Sequence, residues 1–387
     1  MGGSPITALG VMRNLGRNQV KVYCVAEEKN EIAFSKYCKK FFVAPHVERD
    51  KTVLKTLLLA IEREIHGRSV LFAGSDMAAI NLSESKAELP EKYLFFSNPK
   101  AIKTLVNKKN FYHSLDQCNV PHPITYFLEN CEDVEKISEQ LEYPVYIKPA
   151  LSQIFSERFQ RKGFVVWSKE ELVKSWILTS RYNIEVMIQE IIPGPAENMF
   201  GICGYFDKSC NPCAFFAYRR IREWPHQFGN SSLMESISIS DVPSLKEITE
   251  KYLTKLRYSG LFDAEFKKDQ RDGSFKLIEI NARSWWQNSF PTKCGINLVF
   301  MSYLDALDKR IDCIDTYKAG VKWLFVLNDM RSSLKMLREG RINISEWASS
   351  FRRVRDYAYF STDDRRPCLM KLWFLLSYFS QLVRTKM

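Results

Sequence analysis

Glu279, Asn281 and Arg283 follow one another at every second position in Lys276-Leu277-Ile278-Glu279-Ile280-Asn281-Ala282-Arg283. Side chains alternate along a β-strand, so Glu279 and Asn281 should face one way while Ile278 and Ile280 face the core. A carboxylate and an amide oxygen aimed at one point suit a hard divalent cation such as Mg²⁺. Arg283 can set a planar fork of donors beside that point. The preceding run, Gly260-Leu261-Phe262-Asp263-Ala264-Glu265-Phe266-Lys267, reads as the partner strand, with Asp272-Gly273 marking the turn. A two-residue turn would pair Glu265 with Ile280, on the wrong face. A three-residue loop, Arg271-Asp272-Gly273 with Gly273 left-handed, pairs Glu265 with Glu279. We expect the three-residue loop, and with it a metal-holding Glu265/Glu279/Asn281 cluster.

These carboxylates need cations opposite them if they are to handle a polyphosphate. Glu142-Tyr143-Pro144-Val145-Tyr146-Ile147-Lys148-Pro149-Ala150 reads as an apolar strand that ends on a lysine. Asn107-Lys108-Lys109-Asn110-Phe111 opens a helix that stops before Val120-Pro121-His122-Pro123. Val186-Met187-Ile188-Gln189-Glu190-Ile191-Ile192-Pro193-Gly194 is a second apolar strand running into a turn. In this order, with the acidic hairpin last, the sequence resembles an ATP-grasp enzyme. Within that group it resembles the carboxylate–amine ligases of the D-aspartate ligase-like branch, over residues 1–300.

The resemblance implies an α/β fold, α+β in its catalytic part. A Rossmann-like domain at 1–105 would precede a small lobe at 106–190 and a large, metal-bearing lobe at 191–300. A basic extension would occupy 301–387. The implied activity is ATP- and Mg²⁺- (or Mn²⁺-) dependent joining of a carboxylate to an amine through an acyl phosphate. Lys108 (or its neighbour Lys109) and Lys148 match the phosphate-contacting lysines. Gln189, Glu190 and Ile192 match the adenine-reading hinge, and Glu197 the ribose contact. In Ala214-Phe215-Phe216-Ala217-Tyr218-Arg219-Arg220-Ile221-Arg222, Tyr218, Arg220 and Arg222 share a face by alternation. Arg220, and less directly Arg222, are assigned to the phosphates or the acyl phosphate; with Arg283, Arg220 is a catalytic candidate.

One stretch departs from the pattern. The family carries a glycine- and serine-rich loop over the phosphates, whereas Leu151–Lys162 holds no glycine. A tight backbone cradle normally requires glycine. Either Arg158, Arg161 and Lys162 do that work with side chains, or the chain is a degenerate ATP-grasp module that binds nucleotide or a partner without ligation.

Around these motifs, the 387 residues are 26% charged and 45% apolar, an ordinary globular composition with room for two or three domains. Ten scattered cysteines behind no signal peptide read as reduced, cytoplasmic thiols; Cys210-Asn211-Pro212-Cys213 has no second pair to complete a zinc site. The five histidines show no ligand spacing. Gly2-Gly3 leading into a helix, then Val20–Val25, follows β-turn-α-β grammar with its first strand absent. Gly2, Gly3, Ser75 and Asp76 are substrate-side candidates at strand ends.

Net charge is +11, of which +7 falls in residues 331–387. No RNA-binding motif accompanies it, so no nucleic acid is expected. The apolar run at 369–383, interrupted by Lys371, is short for a membrane span. It can be a docking helix, a homodimer contact, or a helix lying on a membrane surface. The partners implied by the resemblance are small-molecule carboxylates and amines: amino acids, peptides or cell-envelope precursors.

Overall fold

The computed structural model describes residues 1–96, 98–314 and 316–384; from 377 onward, and at 131, only the backbone is described. The N-terminal part contains β1 (Val22–Ala26) parallel to β2 (Cys38–Val43), and β3 (Ser69–Val70) parallel to β4 (Tyr93–Leu94). Helices α1 (Pro5–Gly16), α2 (Lys51–Ile61), α3 (Asp76–Ser85) and α4 (Pro99–Val106) accompany them. Residues 1 and 2 bridge the two strand pairs: Gly2 N–H donates to Val25 O at 3.1 Å, the Met1 amine to Phe72 O at 2.7 Å, and Gly74 N–H to Met1 O at 2.8 Å.

A four-stranded antiparallel sheet follows, in the order β5 (Thr125–Phe127), β8 (Val186–Glu190), β6 (Val145–Pro149), β7 (Phe164–Val166). Helices α6 (Cys131–Ser138), α7 (Ser152–Phe159) and α8 (Lys169–Ser180) pack on it, whereas α5 (Lys108–Gln117) buries Phe111, Tyr112 and Leu115 in a separate core with Phe206 and Phe262. The core of the four-stranded sheet gathers Val134, Val145, Ile147, Phe155, Leu172 and Ile188.

The largest sheet has seven strands. Its order is β13 (Phe275–Asn281), β12 (Gly260–Lys268), β9 (Met199–Phe206), β10 (Pro212–Trp224), β11 (Asn230–Ile237), β14 (Lys322–Leu324), β15 (Val354–Tyr357). Alternation on β12 sends Phe262, Ala264 and Phe266 into a core with α9 (Pro243–Lys255), and leaves Asp263 and Glu265 on the other face. The basic C-terminal region is woven in, since β14 and β15 extend this sheet. Strand β14 stops at Leu324, and helix α12 (Val326–Arg338) begins with Asp329 in its first turn. Helices α10 (Phe290–Cys294), α11 (Leu298–Ala306), α13 (Ile344–Ser350) and α14 (Arg366–Arg384) complete the chain.

Candidate functional site

The β12–β13 hairpin carries the acidic pair. Its connection has four residues, Gln270 to Gly273, because Asp269 N–H closes on Ser274 O at 2.8 Å; the three-residue loop is not what forms. Gly273 does sit left-handed, at φ +74°. Carried on unbroken, this register would pair Glu265 with Ile278. Instead Phe266 pairs with Leu277 and Glu265 with Glu279, so Ile278 is an extra, bulged residue. The bulge restores the expected Glu265–Glu279 pair and puts Asn281 opposite Asp263. It also corrects the expectation for Ile278, which lines the cleft while Ile280 is buried. The bulged carbonyl is captured by Tyr112 Oη at 2.6 Å and lies 3.4 Å from Lys148 Nζ.

Lys108 is the first residue of α5, placed by the Asn107 cap, and donates to Glu279 Oε2 at 2.8 Å. Lys109 turns to the surface and pairs with Glu185. Lys148, 7% exposed on β6, has neutral partners: Tyr112 Oη at 2.6 Å and Gln189 Oε1 at 3.1 Å, besides the Ile278 carbonyl. Burial, with Lys108 nearby, lowers its pKa to about 7. Lys162 also lines the cleft and donates to Asn230 Oδ1 at 2.7 Å. Lys108 first, with Lys148 and Lys162, holds Glu279 well below the usual carboxylate range. Glu265 moves the other way, pushed up by burial against the pull of Arg220.

Arg220 donates to Glu265 at 3.1 Å, Glu223 at 2.6 Å and Ser231 Oγ at 3.0 Å. Arg222 does not join it. Arg220 pairs with Met234 but Arg222 with Leu233, so a bulge at Ile221 reverses the alternation. Arg222 therefore points to the opposite face, where it grips Asp329 through Nε (2.8 Å) and Nη2 (2.9 Å). Arg283 donates to Asn281 Oδ1 at 3.1 Å and to Asp76 Oδ1 at 2.7 Å, which brings α3 of the N-terminal region to the site. Of the other strand-end candidates, Ser75 caps α3 and Gly3 N–H donates to Glu48 at 2.7 Å.

Between the two lobes lies a cleft of about 850 Å³, open mouth included. Gln189, Glu190 and Ile192 line it, as do Lys108, Lys148, Arg220, Glu265 and Glu279. The Glu190 carboxylate is held by Arg271 at 2.7 Å and Ile124 N–H at 2.8 Å. Tyr146 of the small lobe stacks on Phe228 of the large lobe at 4.5 Å. Glu197 is on the Ala196–Asn198 turn and is not among the lining residues, whereas Met199 and Lys267 are. The expected loop at 151–162 is largely helix α7, anchored by fully buried Phe155. Of its cations, Arg158 stacks on Tyr182 at 3.8 Å and Arg161 is exposed, leaving Lys162 to reach the cleft. Cys210 and Cys213 are free thiols.

No family model matches the chain. A D-aspartate ligase from Enterococcus faecium is 28% identical over 312 residues, 76% of this chain and 73% of that one. Among solved structures, biotin carboxylase from Campylobacter jejuni in a β,γ-ATP complex aligns with a TM-score of 0.65 at 17% identity, covering 82% of this chain and 72% of that chain. L-amino acid ligase from Bacillus licheniformis aligns with a TM-score of 0.59 at 16% identity, covering 83% and 77%. The chain has an ATP-grasp fold. Its cleft lies between two sheets of that fold, and its sequence is similar to that of a D-aspartate ligase.

Within this fold the oxygen-only donors Glu265, Glu279 and Asn281 fit Mg²⁺ or Mn²⁺ by donor chemistry. Among the described residues no three His, Cys, Asp or Glu side chains group as a self-sufficient metal cage, so phosphate oxygens would have to complete the shell. Sequence reasoning passed over Asp263. It is 2% exposed, accepts from Tyr218 Oη at 2.7 Å and lies 3.4 Å from Asn281 Nδ2; burial first, then Glu265, lifts its pKa to about 8. The signal was present, since Asp263 and Glu265 alternate as Glu279 and Asn281 do. Gly201 belongs to the same arrangement: a Cβ there would meet the Tyr218 ring at 2.0 Å, so glycine lets that ring cross β9 to Asp263.

Proposed function

We propose that this chain is an ATP- and Mg²⁺- (or Mn²⁺-) dependent ligase that joins a carboxylate to an amine. ATP supplies the γ-phosphoryl group: a substrate carboxylate oxygen bonds to it and ADP leaves. The amine nitrogen then bonds to the acyl carbon, phosphate departs and the amine loses a proton. Such transfer depends mainly on positioning and charge neutralisation, and requires no nucleophilic side chain.

The observation that carries this reading is the meeting of Lys108 and Lys148 with Glu279 and Glu265 across one cleft. Glu265, Glu279 and Asn281 would hold the cation. Lys108 and Lys148 would hold the phosphates, with Lys162 taking the part of the absent glycine-rich loop. The Glu190–Ile192 backbone would read adenine, Gln189 would fix Lys148, and Glu197 would need a hinge movement to reach the ribose. Arg220 and Arg283 would stabilise charge on the acyl phosphate, with Asp76 closing from the N-terminal domain. The division at 105/106, 190/191 and 300/301 belongs to the same proposal, as do a cytoplasmic setting and a homodimer. The substrates would be amino acids, peptides or cell-envelope precursors.

A second reading, nucleotide binding without ligation, is favoured by one observation: α7 stands where the glycine-rich loop would be. A screen of carboxylate and amine pairs, read by ADP release, separates the two. Release that requires both substrates supports ligation. Tight Mg-ATP binding with no pair stimulating release would overturn it.

A further inference from the structure

We propose that α14 is a membrane-surface helix that seats this protein on anionic phospholipid. Leu369, Leu372, Trp373 and Leu376 are 62%, 47%, 57% and 70% exposed. Their spacing of three, four and seven residues puts them in one stripe along the helix. A helix serving only to cover the core would turn such a stripe inwards. Here a different side is docked: Lys371 pairs with Glu31 at 3.2 Å and lies 5.4 Å from the centre of the Tyr359 ring.

The base of the helix is also fixed. Asp364 accepts from Arg13 Nε at 3.0 Å and Ser35 Oγ at 2.7 Å, while Asp363 accepts from Arg17 Nε at 3.0 Å and Tyr37 Oη at 2.6 Å. The apolar stripe is thus held outward by a rigid mount.

Charge selects the occupant. From Arg365 to the end the sequence carries five Lys or Arg and no Asp or Glu. An anionic lipid surface complements that balance, and Trp373 suits headgroup depth. A second copy of this chain would bring the same cations face to face. No described helix is long and apolar enough to cross a membrane, so the helix would lie in the interface.

The test is co-sedimentation of the full chain with phosphatidylcholine vesicles, with and without phosphatidylglycerol, across a salt series. Binding that requires the anionic lipid and weakens at high salt is the expected result. Leu372→Glu/Leu376→Glu should reduce vesicle partitioning at least tenfold with an unchanged melting temperature. Absence of vesicle binding at low salt, or undiminished binding by that variant, overturns the proposal. So does light scattering that shows a dimer which the variant dissociates and vesicles leave intact.

Discussion

Arg220 and Arg222 stand two residues apart on one strand, yet their surroundings differ in kind. Arg222 is saturated: Asp329 takes it through two nitrogens, Ser350 Oγ accepts at 2.9 Å, and the ion pair is 4% and 1% exposed. Arg13 and Asp364 form a similarly closed pair. Arg220 instead shares itself between Glu223 and Glu265 at the wall of an open cleft that Lys148 also lines; among the described residues Lys148 has no carboxylate partner and Asp263 no cation partner. The difference separates two uses of buried charge. Paired charges that satisfy each other hold the sheet to α12 and the C-terminal region to α1. Charges that remain over-supplied on each side of a cleft are set to accept a polyanion and a cation together.

The sharpest way to break this contrast is Glu279→Gln. It should lower substrate-stimulated ADP release at least a hundredfold, the scale of losing a main electrostatic group, while circular dichroism and the melting temperature hold. Lys148→Met should cost nearly as much activity with equal or greater stability, because it removes a buried charge that lacks a carboxylate. Arg222→Ala should do the reverse. Leaving Asp329 uncompensated costs about 3–5 kcal/mol, read by denaturant unfolding, with nucleotide affinity little changed in the folded fraction.

A smaller effect comes from pH. With Lys148 at about 7, the folded chain sheds this proton as pH rises past 7 while the unfolded chain retains it up to the ordinary lysine range. The Lys148 contribution to stability therefore grows with pH across that window. Nucleotide affinity should fall over the same window, by at most about tenfold per pH unit, because bound phosphate favours the charged form. Titration calorimetry from pH 6.5 to 9 should show the decline in the wild type and a flatter profile in Lys148→Met. The smallest effect sharpens the site's edge: Asp263→Asn should weaken metal activation by about ten- to a hundredfold, seen as a higher Mg²⁺ requirement with little change in nucleotide affinity, as for a residue that orients a ligand.

Much of this contrast is legible in the sequence. Alternation over Glu279 and Asn281, the strand-end lysine and the order of the segments depend on local periodicity, and periodicity survives folding. Arg222 and Ile278 depart from simple alternation for the same reason. Each depends on a bulge, and a bulge reflects which residue the neighbouring strand offers opposite. For Ile278 the turn and the bulge shifted register in compensating directions, so the Glu265–Glu279 pair was right though its loop was not. The helical α7 was hidden differently. Its N-terminal residue Leu151 supplies no side-chain cap, and its polar run matched loop composition. Phe155 and Phe159, one helical turn apart and packed 4.7 Å from each other, were the unread sign. Glu197 was assigned by the resemblance alone, and no spacing argument held it to the cleft.

The most direct measurement is a crystal structure of the chain soaked with ADP and Mn²⁺, located by anomalous scattering. The account predicts manganese within about 2.3 Å of oxygens from Glu265 and Glu279. Lys108 should have exchanged Glu279 for phosphate. Nucleotide bound with the Lys108–Glu279 pair intact, or manganese away from both carboxylates, would contradict it.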